Sequence, residues 1–193
     1  MTDATVPCQV DPRIERTRRV VLDTTIQLIA ECGYGAVTIE AVAARSGVAK
    51  STIYRHWPNR LELINDAFAE LKPALTVPPD GDIRQRVVAL LEQVARNATA
   101  SPQSACLTAL IDAAEHDPEA HELRRRLSRA GRQTLVDLLD EGRRSGELPT
   151  ELDPELVSEA LAGPIFLRRL MMDEALDPAD IRRLVDQVLG PRA

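Results

Sequence analysis

Apolar residues recur along the chain three or four positions apart, and runs that alternate apolar with polar residues are almost absent. That periodicity predicts helices and little strand. Helix starts are clearly marked. Asp11-Pro12, Asp117-Pro118, Asp153-Pro154 and Asp177-Pro178 each set a capping carboxylate before a proline, and Ser101-Pro102 repeats the form with a hydroxyl. Proline suits the first helical position, where its missing N–H is not needed and its fixed φ is already helical. The pattern predicts a first helix over Pro12–Cys32, with Val21, Thr25, Leu28, Ile29 and Cys32 on one face and Gly33 and Gly35 ending it. Two short helices follow, Ile39–Arg45 and Lys50–His56. Asn59 opens a fourth, with Glu62 completing a capping box and Ile64, Ala67, Phe68 and Leu71 on its buried face. A connector, Thr76–Gly81, leads to a fifth helix from Ile83 that buries Val87, Val88, Leu91, Val94 and Ala98. The sixth spans Pro102–His116, the seventh Pro118–Ser145 and the eighth Pro154–Met172; the ninth carries Ile181, Leu184, Val185, Val188 and Leu189 on one stripe. Nine helices and no sheet predict an all-α fold.

Composition narrows the class. The chain has 193 residues, 44% hydrophobic and 28% charged, enough for one or two globular domains. Aromatics make up 3%, so the core is aliphatic. No apolar run approaches the roughly 20 residues needed to span a bilayer. The start of the chain lacks a basic segment followed by an apolar one, so no secretory signal is expected, and the cytoplasm is the expected compartment. Cys8, Cys32 and Cys106 are far apart and form no C-x-x-C pair. His116 with Asp112 and His121 supplies no matched ligand set, so neither a metal nor a cofactor is expected.

Charge is unevenly spread. The whole chain carries −6, yet Val10–Arg60 holds eight basic residues against five acidic ones, which leaves −9 on the remainder. A cationic head on an anionic body orients toward nucleic acid. Thr38–Arg60 gives that head a shape. Thr38 can cap a short helix, Ala43 lets a second helix approach, Gly47 permits a sharp left-handed turn, and Val48 plugs the corner over Val42 and Ile53. Two short helices across a tight glycine turn predict a helix-turn-helix. The outer face of its second helix reads Lys50, Ser51, Thr52, Tyr54 and His56, all hydrogen-bonding groups and none a carboxylate. Lys50, Ser51 and Thr52 suit base edges, whereas Tyr54 and His56 suit phosphate oxygens. Arg60, at the start of the fourth helix, suits a phosphate. Arg13, Arg16, Arg18 and Arg19 add positive charge at the start of the first helix.

From about Arg19 to Ile64 the sequence resembles the DNA-binding domain of the TetR family of bacterial transcriptional regulators. The resemblance rests on Gly33-Tyr34, Thr38, Ala43, Gly47-Val48, Thr52-Ile53-Tyr54 and His56-Trp57-Pro58-Asn59-Arg60. It implies DNA-contact roles for Thr38, Lys50, Ser51, Thr52, Tyr54, His56 and Arg60. Two positions depart from the family pattern. Ala49 stands where a capping Ser is common, which forfeits about 1 kcal/mol, and Arg60 replaces the commoner Lys. The implied organisation is a DNA-binding domain over 10–57 and a helical ligand-binding and dimerisation domain over 58–193.

The implied function is a homodimeric repressor, released from a palindromic operator by a small hydrophobic effector. Phe68, Leu71, Leu91, Cys106, Leu107, Leu110, Ile111, Leu135 and Leu138 are the expected pocket lining, and equally fit plain core. The eighth and ninth helices are the expected dimer pair, through Leu156, Ala160, Gly163 and Leu167 and through Ile181, Leu184, Val185 and Val188. Gly163 favours close approach, and Pro164 interrupts the helical ladder. Two alternatives stand beside this reading. One is a ligand-binding helical dimer without DNA function. The other is an all-α enzyme built on His116, His121, Asp112 and Cys106, disfavoured because no nucleophile–base pair is spaced for it.

Overall fold

The structure, a computed structural model, describes residues 12–71, 75–99 and 102–190 (the side chain of Gln103 excepted). Among them are nine α-helices and no strand. They are α1 (Pro12–Cys32), α2 (Ile39–Ser46), α3 (Lys50–His56), α4 (Arg60–Leu71), α5 (Ile83–Thr99), α6 (Gln103–Ala114), α7 (Pro118–Ser145), α8 (Pro154–Leu167) and α9 (Pro178–Leu189). A 3₁₀ turn at Tyr34–Ala36 follows α1, and a π-helical turn at Arg168–Met172 extends α8. The caps explain several boundaries. Asp117 accepts from the Glu119 and Ala120 N–H groups, Asp153 from those of Glu155 and Leu156, and Asp177 from that of Asp180. In each case the proline occupies the first turn. Asp11 and Ser101 lie outside the described residues; α6 starts one residue later than expected, after Pro102.

The chain divides into two compact units, Met1–Leu71 and Lys72–Ala193. The expected boundary at 57/58 therefore cuts the first unit. The reason is packing: α4 lies along α1, and Leu63, Ile64, Ala67 and Phe68 are buried there. Phe68 and Leu71 consequently belong to the first unit. In the first unit α1 also packs on α2, and α2 on α3, with Val42 and Ile53 fully buried.

The second unit closes around one aliphatic cluster. Val87, Leu90 and Leu91 come from α5, Leu135, Leu138 and Leu139 from α7, Leu161 and Ile165 from α8, and Ile181, Val185 and Leu189 from α9. Gly142 marks a close approach. A Cβ there would stand 2.6 Å from Cγ1 of Ile83, so only glycine lets the end of α7 meet the start of α5. Leu91, Leu135 and Leu138 are members of this packed cluster, Cys106 and Leu110 are buried on α6, and Leu107 and Ile111 are half-buried.

Two expectations for the C-terminal helices need correction. Ile181 and Val185 are 1% and 0% exposed within a single chain, so they pack on their own core and offer nothing to a partner. Leu184 and Val188 are partly buried against that same core. The outward side of α9 is polar, with Arg182, Arg183, Asp186 and Gln187. Helix α8 is also shorter than its apolar run. Pro164 has no N–H to give the ladder, and the α-helix passes into the π-helical turn at Arg168. Arg168 pairs with Asp180 at 3.0 Å, and Arg169 donates to Ser104 on α6 at 2.5 Å, which pin that turn at both sides.

Burial also settles the chemistry of Cys106. Desolvation raises its thiol from 9.0 to about 11, so at neutral pH it is a thiol, an inert small hydrophobe. Peptide-resolved mass spectrometry after iodoacetamide at pH 8 is expected to show Cys106 unmodified in the folded protein and modified in urea, with exposed Cys32 reacting in both. Because the folded value lies above the unfolded one, this thiol's contribution to stability is complete below pH 9 and is lost as the pH rises toward 11. Labelling of Cys106 in the folded state at the Cys32 rate would refute the assignment.

Candidate nucleic-acid interface

The helix-turn-helix is built as the local sequence requires. Thr38 caps α2, its hydroxyl accepting the Ala41 N–H at 3.0 Å. Gly47 then turns the chain at φ 71°, ψ 7°, a left-handed conformation, while its N–H closes on the Ala43 carbonyl at 3.0 Å. Ala49 precedes α3 without a side-chain cap, yet α3 begins at Lys50 all the same. Ile53 is its one fully buried residue, and that anchor leaves the rest of the helix facing out.

Lys50, Ser51, Tyr54 and Arg55 are exposed, and Thr52 and His56 are half-buried. Thr38, the cap of α2, is exposed as well. Lys50 is held by Glu40 of α2, Nζ to Oε1 at 3.0 Å, and the ammonium keeps the Glu40 carboxyl below its ordinary value. Beside α3, the first turns of α1 complete a shallow cleft of about 200 Å³ lined by Arg13, Ile14, Thr17, Thr52, Arg55 and His56. Two guanidiniums, an imidazole and two hydroxyls around one cleft suit a phosphodiester. Sequence reasoning passed over Arg55 because the apolar and polar pattern of α3 does not distinguish a solvated arginine from one facing a cleft. The contribution of α1 was the missing signal.

Arg60 has partners within the first unit. Its Nη2 donates to the Tyr34 carbonyl at 2.9 Å, and its guanidinium lies 4.7 Å over the Tyr34 ring. It braces the 3₁₀ turn against the start of α4, which Asn59 caps by accepting the Glu62 N–H at 2.9 Å. Arg18 also turns inward, to Asp66 at 3.3 Å and Glu70 at 2.8 Å on α4. Asp66 takes the indole N–H of buried Trp57 at 3.0 Å. One carboxylate thus joins α1, α4 and the end of α3. Of the α1 arginines, Arg13, Arg16 and Arg19 remain exposed.

The residues weighed for an enzyme are arranged differently. Asp112, His116 and His121 are exposed, whereas Cys106 is buried. Among the described residues no helix is long and apolar enough to cross a membrane.

Comparison with known proteins agrees with this geometry. The family described as "Bacterial regulatory proteins, tetR family" matches residues 21–67, and that described as "Tetracyclin repressor-like, C-terminal domain" matches 77–188. The chain is 34% identical to an uncharacterized HTH-type transcriptional regulator, YdeS, of Bacillus subtilis (strain 168), covering 90% of this chain and 88% of that one. It is 31% identical to the DNA-binding transcriptional repressor TetR of Mycobacteroides abscessus, covering 92% and 94%. Among solved structures, the TetR family transcription regulator SCO0332 superimposes with a TM-score of 0.68 at 31% identity, over 90% of this chain and 97% of that one.

Proposed function

The chain belongs to the TetR family of bacterial transcriptional regulators, and from that premise we propose that it is a homodimeric, cytoplasmic repressor without catalytic activity. The carrying observation is α3. One buried residue, Ile53, fixes a helix whose other side presents Lys50, Ser51, Tyr54 and Arg55 to solvent. A helix so placed enters a major groove, its first residues meeting base edges and its last meeting phosphates. Thr38, Thr52 and His56 are the remaining contacts we assign, and Arg60 acts as a brace.

Dimerisation through α8 gives two recognition helices and a palindromic operator with half-sites about one helical turn apart. The effector is a small hydrophobic molecule held in the second unit near Cys106, Leu107, Leu110 and Ile111. It acts by population shift, binding best to a dimer whose recognition helices no longer match the operator spacing. The aliphatic interior of that unit supports an apolar ligand.

Selection of bound sequences from a random duplex pool tests this reading. The expected product is a two-fold symmetric site, with affinity falling at least tenfold for Lys50→Ala with Tyr54→Phe while helical circular dichroism is unchanged. An unsymmetrical site, or no enrichment at all, would overturn it.

A further inference from the structure

The bond between Lys50 and Glu40 is a feature of the reading face that a simple basic interface does not explain. A carboxylate brought to DNA is repelled by the phosphates. The positive end of the α2 dipole accounts for an acid in the first turn of that helix. It does not account for that acid's grip on the ammonium at the head of the recognition helix, Nζ to Oε1 at 3.0 Å. Both side chains are more than half exposed, at 53% for Lys50 and 59% for Glu40, so nothing in the protein's own core requires the pair. Such exposed pairs add little to stability.

The pair matches what a major groove displays. In a G·C pair, guanine O6 accepts from cytosine N4, so an acceptor and a donor lie side by side about 2.9 Å apart. Lys50 and Glu40 offer a donor and an acceptor at nearly the same separation. Set face to face, the ammonium meets O6, with N7 beside it, and the carboxylate meets the N4 amino group. Reversing the base pair sets donor against donor and acceptor against acceptor. An A·T pair with thymine toward Lys50 keeps an acceptor and a donor side by side, O4 and N6, but gives the ammonium no N7 beside O4 and crowds it with the C5 methyl.

We propose that Glu40 and Lys50 act as one composite reader of a single G·C pair in each half-site. In this arrangement Lys50 donates to guanine O6 and N7 while Glu40 accepts from N4 of the paired cytosine. The proposal rests on the operator-binding reading above and adds to it a specificity-determining acid from α2. Its bond to Glu40 also holds Lys50 extended before DNA arrives, so less side-chain freedom is lost on docking.

The test is random-duplex selection with wild type, Glu40→Gln and Lys50→Gln, together with salt titrations on a scrambled duplex. Glu40→Gln is expected to erode preference roughly tenfold at one G·C position per half-site and nowhere else. It is also expected to tighten scrambled-duplex binding and to steepen the log K against log salt slope by about 0.9, because the freed ammonium reaches a phosphate. Lys50→Gln is expected to erode the same position. Unchanged preference and slope in Glu40→Gln, or erosion at two different positions by the two variants, overturns the composite reader. A wild-type protein that enriches no sequence overturns the operator-binding reading itself and is recognised by that result.

Discussion

Trp57→Ala is expected to destabilise the first unit by about 3–5 kcal/mol, the usual cost of emptying a buried indole site. Trp57 is 2% exposed at the junction of α3 and α4, and its ring lies 5.5 Å from that of His56. Its indole N–H goes to Asp66, which also takes Arg18 from α1. Removing the side chain leaves a void between three helices and deprives Asp66 of a donor. A single domain has only about 5–15 kcal/mol in all, so α3 should lose its fixed orientation. Urea titration followed by circular dichroism should show an early transition, and duplex binding should be lost. Trp57→Phe separates the two contributions. It keeps most of the bulk, and the hydrogen bond it deletes is worth about 1 kcal/mol. The chain has one tryptophan, so wild-type fluorescence reports this unit's unfolding directly. A wild-type urea midpoint in Trp57→Ala would show that the junction tolerates the void.

Leu156→Glu with Leu167→Glu is expected to give a folded monomer that has lost operator binding. Leu156 and Leu167 are 64% and 56% exposed, with Ala160 and Gly163 between them on the same side of α8. Phe166, Leu170, Met171 and Met172 continue the apolar surface through the π-helical turn. Contiguous exposed apolar side chains of this extent mark an association surface. Glutamates there meet water in the monomer and one another in the dimer. The second half-site then no longer binds as an intramolecular partner of the first, a loss of about 10²–10⁴ in affinity. Sedimentation should report a single chain with unchanged helicity, and gel shift should report the fall. A stable dimer carrying both substitutions would place the interface elsewhere. An all-apolar α9 contribution is excluded by the burial of Ile181 and Val185.

The sequence disclosed most where the physics is local. Caps, prolines and the Gly47 turn act within four residues, and they located α2, α3, α7, α8 and α9. Exposed residues of α3 were legible too, because one buried Ile53 fixes which way a two-turn helix faces. What escaped is long-range. The bond from Arg60 to the carbonyl of Tyr34, 26 residues earlier, is not legible in the pattern of α4. Arg18 reads as part of a basic patch until Asp66 and Glu70 arrive from α4. The stripe on α9 was recognised, but periodicity does not say whether an apolar face meets its own core or a second chain. The cleft beside Arg55 needed α1 and α3 in one frame.

The Asp-Pro pairs at the heads of α7, α8 and α9 bear on how the protein is made. Nucleating a helix is the unfavourable step, since several dihedrals are fixed for the first bond gained. In each pair the proline arrives with one dihedral already set and the aspartate takes up backbone N–H groups that would otherwise go unmet. Both residues of a pair leave the ribosome together, ahead of the helix they start. The starting points of the last three helices are thus specified by dipeptides, whatever contacts the rest of each helix goes on to make.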